Sequence, residues 1–180
     1  MFTLIAGGSA SGKSSYAEAL AVRQCGARIY LATMQPMDTE SMARIAKHRK
    51  MRADKNFTTI EHYIDIGKAS IPRGANVLLE CMSNLVANER YCPDGAGENA
   101  EESIVQGIEK IAQKCANIII VTCDVCGGGA AYDDDTCAYL RQLAQINRTL
   151  AKKADIVIEV VAGLPNVLKG IDALQTIIAG

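Results

Sequence analysis

The segment from Gly7 to Ser14 constrains the fold of this 180-residue chain more than any other part of the sequence. It reads GGSASGKS and fits G-x-x-x-x-G-K-[S/T], the pattern of a phosphate-binding loop that joins a strand to a helix. An apolar run, Phe2 to Ala6, precedes it, and an alanine-rich segment with helical spacing follows it. These are the flanks that the loop requires, so a chance glycine-rich turn is a poor alternative.

The loop has the residue types that phosphate binding needs. Glycines let its backbone turn N–H groups toward phosphate oxygens, and the N-terminus of the next helix adds a favourable dipole. We expect Lys13 to reach the β- and γ-phosphates of a nucleoside triphosphate and to act in catalysis, and the Ser14 hydroxyl to bind Mg²⁺. The residues expected to contact the nucleotide are Gly7, Gly8, Ser9, Ala10, Ser11, Gly12, Lys13 and Ser14.

Short apolar runs rich in β-branched residues alternate with segments of helical spacing. The predicted strands are Phe2 to Ala6, Arg28 to Thr33, Asn76 to Cys81, Asn117 to Cys123 and Asp155 to Val161. The clearest predicted helices are Ser14 to Cys25, Thr39 to Lys50, Ala100 to Cys115 and Asp134 to Lys153. Continuous apolar strands between helices are typical of a parallel sheet covered on both faces. The sequence therefore predicts an α/β fold, a single P-loop NTPase domain of the RecA-like type spanning residues 1–180, with a mostly parallel sheet and helices on both faces.

The remaining segments have less definite patterns. Arg90 to Asn99 and Gly127 to Asp133 have the composition of mobile loops that could cover a substrate, although plain surface loops fit them equally well. The stretch Ile171 to Ala179 is apolar enough to pack on the body of the protein or on a neighbouring subunit.

Composition narrows the classes of partner. With 19 basic and 20 acidic side chains the formal net charge is -1, which offers no general attraction to nucleic acid or to an anionic membrane. Two Phe and no Trp also leave little for base stacking. No apolar run is long enough to span a bilayer, and no signal peptide is recognisable. We expect a cytoplasmic protein with no nucleic-acid partner and no membrane insertion.

Seven cysteines would suggest a disulfide framework in a small secreted chain, but their number is odd and no export signal precedes them. Reduced thiols are therefore expected. Cys123 and Cys126 have the spacing of a redox or zinc pair. A second such pair is missing and three glycines follow instead of a helix, so a plain pair of thiols is the favoured interpretation.

Glu80 stands near the end of the predicted strand from Asn76 to Cys81. A magnesium site beside a phosphate loop commonly draws on a carboxylate at such a strand end, so Ser14 and Glu80 are the predicted metal-site residues. The alternative is a strand-end carboxylate that pairs with a Lys or Arg side chain.

His48 lies among five cations in the segment from Arg44 to Arg52. Nearby positive charge favours neutral, nucleophilic imidazole, and the cations can bind phosphate. A neutral imidazole beside bound phosphates can attack phosphorus and form a phosphoramidate, which makes His48 a candidate catalytic residue. The alternative is a solvated basic helix that happens to carry a histidine. The second histidine, His62, follows Glu61 in a strand-like segment and is interpreted as structural.

These segments together resemble the bifunctional adenosylcobinamide kinase and adenosylcobinamide-phosphate guanylyltransferase family of cobalamin assembly. The resemblance covers nearly the whole chain and is more specific than a phosphate loop alone. It is carried by the early GG-x-x-SGKS loop, Ala32-Thr33-Met34-Gln35, Ala43-Arg44-Ile45 leading to His48-Arg49, Thr59-Ile60-Glu61, Leu78-Leu79-Glu80-Cys81 and Ala154-Asp155.

The resemblance implies a trimeric enzyme that phosphorylates the aminopropanol hydroxyl of adenosylcobinamide and then moves GMP from GTP onto that phosphate through a GMP-histidine intermediate. It implies that His48 carries the GMP, that GTP, ATP and Mg²⁺ are used, and that adenosylcobinamide and its phosphate are the partners. Whether ATP or GTP feeds the kinase step is left open. Beyond the loop, the implied nucleotide contacts are Thr33, Met34, Gln35, Arg49, Lys50, Met51, Arg52, Glu61 and Glu80.

The chain departs from the family pattern at three places, one of which is Arg52-Ala53 and Phe57, where members often have Arg-Pro followed by Trp. Family members often have two adjacent histidines where this chain has Lys47-His48, and the second of them aligns with His48. Many relatives read Thr-Asn-Glu-Val where this chain has Thr122-Cys123-Asp124-Val125, in a loop expected to face the corrinoid. Two other functions compete: a monofunctional P-loop small-molecule kinase in which His48 only contacts phosphate, and a non-catalytic GTP-binding switch, which the missing Asn-Lys-x-Asp motif disfavours.

Overall fold

The computed structural model of the protein describes residues 1–123 and 132–179. Strands and helices alternate through most of the described chain. The strands are β1 (Phe2–Gly7), β2 (Arg28–Ala32), β3 (Phe57–Glu61), β4 (Asn76–Glu80), β5 (Asn117–Cys123), β6 (Ile156–Val161) and β7 (Leu164–Lys169). The helices are α1 (Lys13–Val22), α2 (Thr39–Arg52), α3 (Met82–Tyr91), α4 (Ala100–Ala112), α5 (Asp134–Lys153) and α6 (Ile171–Ala179).

The strands form one seven-stranded sheet in the order β3-β2-β4-β5-β1-β6-β7. All neighbours are parallel except β6 and β7, which are antiparallel. Strand β1 lies inside the sheet, where Leu4 pairs with Ile120 on one side and with Val157 on the other. The loop that follows β1 therefore emerges at the carboxyl edge, between strands rather than at the border of the sheet.

Helices cover both faces of the sheet. On one face α1 and α6 pack through residues such as Leu20 and Leu174. On the other face α3, α4 and α5 contribute Leu85, Ile104 and Leu143 to the larger core cluster. This arrangement confirms the predicted α/β fold with a mostly parallel sheet.

All five predicted strands and all four predicted helices are present, with ends that shift by three residues or fewer. Four elements lie outside those lists: strands β3 and β7 and helices α3 and α6. Helix α3 begins directly after β4, and strand β7 has exposed side chains at five of its six positions. The apolar C-terminal stretch forms α6, whose Leu174 is buried against the body.

The segment predicted as the loop Arg90 to Asn99 begins inside α3 and ends in a short 3₁₀ turn, Gly97–Asn99. The buried Glu89 carboxylate accepts a hydrogen bond from Ala96 N at 3.0 Å and one from Asp65 N at 2.6 Å, which fastens this segment to the body. The second predicted loop, Gly127 to Asp133, lies outside the described residues except for its last two positions. Cys126 also lies outside them. Within the described part of the chain, we find no helix with the length and apolarity that crossing a membrane requires.

Candidate active site

The phosphate loop takes the backbone shape that its glycines allow. Gly12 has φ +91°, and a Cβ added there would lie 3.2 Å from Gly163 Cα, so both conformation and space favour glycine. The Gly163 N–H donates to Ser11 O at 2.8 Å, which fastens the loop to the turn between β6 and β7. Lys13 opens α1, is 7% exposed, and donates from Nζ to Gly8 O at 3.0 Å. Gly12 at the N-cap position makes no side-chain cap, and the first amides of a helix are donors that an anion can bind.

Glu80, the last residue of β4, is the carboxylate on which the site converges. The Ser14 hydroxyl donates to Glu80 Oε1, and the Tyr30 hydroxyl donates to Glu80 Oε2 at 3.1 Å. Burial alone raises the pKa of Glu80, but the nearby His48 imidazole and the two hydroxyl donors outweigh it and hold the pKa below its ordinary value. The carboxylate is thus ionised at neutral pH and accepts a hydrogen bond on each of its two oxygens.

His48 lies on the third turn of α2, and Asp38 caps this helix. The Asp38 side chain accepts from Ser41 N while the Ser41 hydroxyl accepts from Asp38 N, a reciprocal capping box. The imidazole Nδ1 lies 3.6 Å from Glu80 Oε2, farther than a hydrogen bond but close enough for Coulombic attraction. Nδ1 is buried and has no hydrogen-bond partner among the described residues. A carboxylate therefore lies beside the ring, in addition to the cations of the helix itself.

The five cations around His48 differ in their surroundings. Arg49 donates to Glu61 Oε1 at 2.6 Å, and Tyr63 donates to the other Glu61 oxygen at 2.9 Å. The ion pair of Arg49 and Glu61 is exposed to solvent. Arg52 is 6% exposed and its guanidinium carbon lies 3.3 Å from the centre of the Tyr30 ring. The alternative interpretation of this segment is a basic helix whose cations are all solvated. It does not hold for Arg52, which is buried.

Sequence reasoning missed the buried Glu18 on α1. Its carboxylate accepts from Lys55 Nζ at 2.6 Å and lies 3.9 Å from Arg52 Nη1, and Glu18 itself is fully buried. One ligand atom from each of Glu18, His48 and Glu80 falls within 4.8 Å of the others. The sequence signal is weak, since a glutamate in an alanine-rich helix is ordinarily a surface residue.

Tyr30 was missed as well, although a signal for it exists. A tyrosine in a buried strand needs a partner for its hydroxyl, and Glu80 on the neighbouring strand supplies one. Burial, followed by the charge of the Glu80 carboxylate, raises the pKa of Tyr30 far above its ordinary value and outweighs the opposite effect of the Arg52 guanidinium, so the hydroxyl remains a donor.

A cavity of about 560 Å³ joins the phosphate loop to α2. Most predicted site residues line it: Ser9, Ala10, Ser11, Gly12, Lys13, Ser14, Met34, His48, Arg49, Met51, Arg52, Glu61 and Glu80. Gly7, Gly8, Thr33, Gln35 and Lys50 are not among the lining residues. Thr33 is fully buried and donates to Cys81 O at 2.8 Å, while Gln35 donates to Cys92 Sγ at 3.3 Å. Additional lining residues that were not predicted include Tyr30, Arg44, Asn84 and Cys123.

Comparison with known proteins identifies the family of this chain. The model of the cobinamide kinase / cobinamide phosphate guanyltransferase family matches residues 3–168. The chain belongs to this family.

Curated relatives agree with that assignment. The bifunctional adenosylcobalamin biosynthesis protein CobU of Escherichia coli (strain K12) is 33% identical over 179 residues, which covers 91% of this chain and 97% of that protein. The protein of the same name from Salmonella typhimurium is 32% identical with the same coverage. The bifunctional protein CobP of Pseudomonas aeruginosa is 30% identical over 173 residues, covering 94% of this chain and 98% of that protein.

Family membership confirms the predicted resemblance and the prediction of an enzyme, a nucleotide-dependent transferase of cobalamin biosynthesis. It leaves the alternative of a non-catalytic GTP-binding switch without support. Among solved structures, an ATPase from the type III secretion system of pathogenic bacteria matches with a TM-score of 0.55 at 12% identity, covering 96% of this chain and 57% of that chain. At this identity the likeness concerns the fold alone, and it confirms the predicted P-loop NTPase fold of the RecA-like type.

Proposed function

We propose that this family member carries out both family reactions in its one cavity, with His48 as the nucleophile that accepts GMP from GTP. The substrates are adenosylcobinamide for the kinase step and its phosphate for the guanylyl step. The single observation that carries the proposal is that Lys13, Ser14, Glu80 and His48 line the same cavity. A histidine beside a triphosphate loop can reach phosphorus, whereas a histidine on a remote surface cannot.

In the guanylyl step, an imidazole nitrogen of His48 attacks the α-phosphorus of GTP, an N–P bond forms, and the P–O bond to pyrophosphate breaks. The Glu80 carboxylate, 3.6 Å from Nδ1, favours a proton on that nitrogen and leaves the lone pair on Nε2 for attack. Lys13 and the arginines that line the cavity stabilise charge on the departing pyrophosphate. The substrate phosphate then attacks the same phosphorus, and the N–P bond breaks to free His48.

In the kinase step, the loop holds a triphosphate so that the aminopropanol hydroxyl of adenosylcobinamide meets the γ-phosphorus in line. Lys13 neutralises charge on the β- and γ-phosphates, with no covalent enzyme intermediate. The nucleotide that serves this step is ATP or GTP.

Mg²⁺ fits the oxygen donors at the bottom of the cavity. Ser14 and Glu80 offer a hydroxyl and an ionised carboxylate, the hard ligands that Mg²⁺ prefers, and their mutual hydrogen bond holds them together. When bound, Mg²⁺ would supply charge neutralisation on the phosphates. By family resemblance we also infer a homotrimer in the cytoplasm.

The decisive experiment follows transfer of the α-phosphate of GTP to the protein. Incubation with GTP and Mg²⁺ is expected to add one GMP to the intact mass, in a bond that is labile to acid. His48→Asn is expected to abolish the adduct, while the matched change His62→Asn at the other histidine is expected to retain it. Kinase activity, measured as transfer of the γ-phosphate to adenosylcobinamide, is expected to survive in His48→Asn.

Two results would contradict the proposal in different ways. A wild-type protein that phosphorylates adenosylcobinamide but acquires no GMP would be a monofunctional kinase. An adduct that persists in His48→Asn and disappears elsewhere would assign the nucleophile to another residue.

A further inference from the structure

Two thiols lie in the wall of the cavity and have no part in the reactions proposed above. Cys81 directly follows β4, and Cys123 is the last residue of β5, the neighbouring parallel strand. The strands stay in register up to Glu80 and Val121, so both cysteines come to the same edge of the sheet. Both side chains line the same cavity, and each shifts the pKa of the other as a neighbouring thiol.

The surroundings of the pair are polar and basic. Asn84 donates to Cys81 Sγ at 3.2 Å, and Ser83 Oγ lies 3.4 Å from the same sulfur. Lys13 lines the same cavity, and its positive charge lowers the pKa of Cys123. Both cysteines line the cavity and both are free and half-buried, so a small reagent that enters the cavity meets them.

We propose that Cys81 and Cys123 form a reversible modification site, which hydroperoxides or low-molecular-weight disulfides convert to a disulfide inside the nucleotide cavity. This pairing differs from the one that sequence spacing suggests, because Cys123 and Cys126 have the C-x-x-C spacing. The pair across the strands is supported by its place in the fold, since Cys81 directly follows β4, Cys123 ends the neighbouring β5, and both line one cavity. Neighbouring strands lie about 4.8 Å apart, which falls within the range of about 4.4–6.8 Å between Cα atoms that disulfides span.

The chemistry balances with a hydroperoxide as oxidant. The Cys123 thiolate attacks the peroxide, the O–O bond breaks, and a sulfenic acid forms while the departing oxygen takes a proton from solvent and leaves as an alcohol or water. The Cys81 sulfur then attacks the sulfenic sulfur, the S–O bond breaks, and water leaves with the Cys81 proton. Two sulfur atoms lose two electrons in total, which the peroxide accepts. With a small disulfide as oxidant, two exchange steps give the same product and release two thiols.

The electrostatics of the pair support this order of events. The hydrogen bond from Cys81, opposed by burial and assisted by the Lys13 charge, lowers the pKa of Cys123 to about 5. Cys123 is thus the thiolate that reacts first, and Cys81 is the thiol that closes the bond.

Nucleotide binding and oxidation are expected to oppose each other. This step rests on the proposed function, in which Lys13 binds the β- and γ-phosphates. A bound triphosphate draws the ammonium away from Cys123 and puts negative charge near its sulfur, which disfavours the thiolate. Bound GTP is therefore expected to slow oxidation at least several-fold.

The test exposes the reduced protein to hydrogen peroxide and, separately, to oxidised glutathione, and follows intact mass and non-reducing peptide maps. The expected product lacks two hydrogen atoms, links the Cys81 and Cys123 peptides, and reverts with dithiothreitol. Cys81→Ser and Cys123→Ser are each expected to prevent the link, and Cys126→Ser to retain it. Far-ultraviolet circular dichroism checks that each variant is folded.

The pairing is overturned if the wild-type map links Cys123 to Cys126, or if the link is absent from wild-type protein oxidised to completion at its exposed Cys25. The effect of nucleotide is measured separately, as the rate of oxidation with and without GTP. An unchanged rate at GTP concentrations that saturate binding overturns the inference that bound nucleotide slows oxidation through Lys13. A protein that fails to bind GTP contradicts the proposed function and leaves the disulfide result standing.

Discussion

Glu80 makes the phosphate loop and the catalytic helix a single site. Its two oxygens accept hydrogen bonds from Ser14 and Tyr30, and Oε2 lies 3.6 Å from His48 Nδ1. Ser14 belongs to the loop and His48 to α2, and no shorter link between these two residues is found in the described part of the chain. The orientation of both therefore depends on one buried carboxylate.

Replacement of Glu80 by Gln is expected to uncouple these groups. The Gln side chain keeps one acceptor oxygen, but its amide N–H groups replace the other. The hydroxyl of Ser14 or of Tyr30 therefore loses its hydrogen-bond acceptor. We expect formation of the GMP adduct to slow by about 10- to 100-fold, as for other groups that orient metal ligands and nucleophiles. The measurement is single-turnover labelling with GTP. A rate within twofold of wild type would contradict the assigned role.

The same substitution carries a prediction about pH. The folded protein lowers the pKa of Glu80 below 4.5, so the ionised carboxylate contributes stability that is present above that pH and is lost as the pH falls through the folded pKa. The free energy of unfolding of Glu80→Gln should therefore approach the wild-type value on acidification. Urea titrations between neutral pH and pH 3 measure the difference. The matched change Glu102→Gln, at an exposed position, serves as the control for the loss of one carboxylate.

Helix α4 and the 3₁₀ turn Ile66–Lys68 approach each other more closely than side chains allow. A Cβ added to Gly107 would lie 2.9 Å from Ile66 Cγ1 and 3.0 Å from Gly67 N. In an ordinary helix interior, Gly to Ala adds up to about 1 kcal/mol of stability. Here the backbone contact reverses the sign, because neither the helix nor the turn can give way without loss of packing.

Gly107→Ala is accordingly expected to lower the free energy of unfolding by roughly 1–3 kcal/mol, the cost of overpacking. Chemical denaturation measures it. Gln106→Ala, at the adjacent exposed position of the same helix, serves as the control and is expected to stay within about 0.5 kcal/mol of wild type. A stabilised Gly107→Ala would mean that the turn moves away freely.

The elements that could be predicted from sequence are those whose pattern is set by burial on the sheet. Strands such as β4, buried at every position, and helices such as α5 stand out because their apolar spacing is continuous. Helix α3 was missed because only Cys81 separates it from β4, so its apolar positions merge with those of the strand. Strand β7 was missed because it is an antiparallel border strand with exposed side chains and Pro165 within it.

The residues of the site also differ in whether a local sequence pattern predicts them. Lys13 and Ser14 follow from a local motif, and Glu80 follows from its place near a strand end. Glu18 and the burial of Arg52 depend on how α1 packs beside the end of α2, which no local pattern records. Cys81 and Cys123 are 42 positions apart in sequence and meet only because β4 and β5 are neighbours in the sheet.

At the scale of the whole molecule, the phosphate loop and the helix of His48 come from different parts of the chain. Ion pairs below the cavity connect them. Glu18 on α1, the helix that continues the phosphate loop, pairs with Lys55 at 2.6 Å and lies 3.9 Å from Arg52 Nη1. Arg52 ends α2, the helix of His48, and packs against Tyr30. Glu18 therefore connects the helix that follows the phosphates to the helix that carries the nucleophile.

Glu18→Gln should reveal how much this connection contributes. It keeps the shape of the side chain but leaves two cations facing a buried site without their carboxylate. We expect the free energy of unfolding to fall by about 3 kcal/mol, the lower part of the range for a broken buried pair, because Lys55 is 29% exposed. The matched control is Glu109→Gln, which breaks the half-exposed pair with Lys153 and is expected to cost about 1 kcal/mol or less. Urea denaturation compares the two variants. Equal costs would mean that solvent reaches Glu18 and that the charges below the cavity do not hold α1 and α2 together.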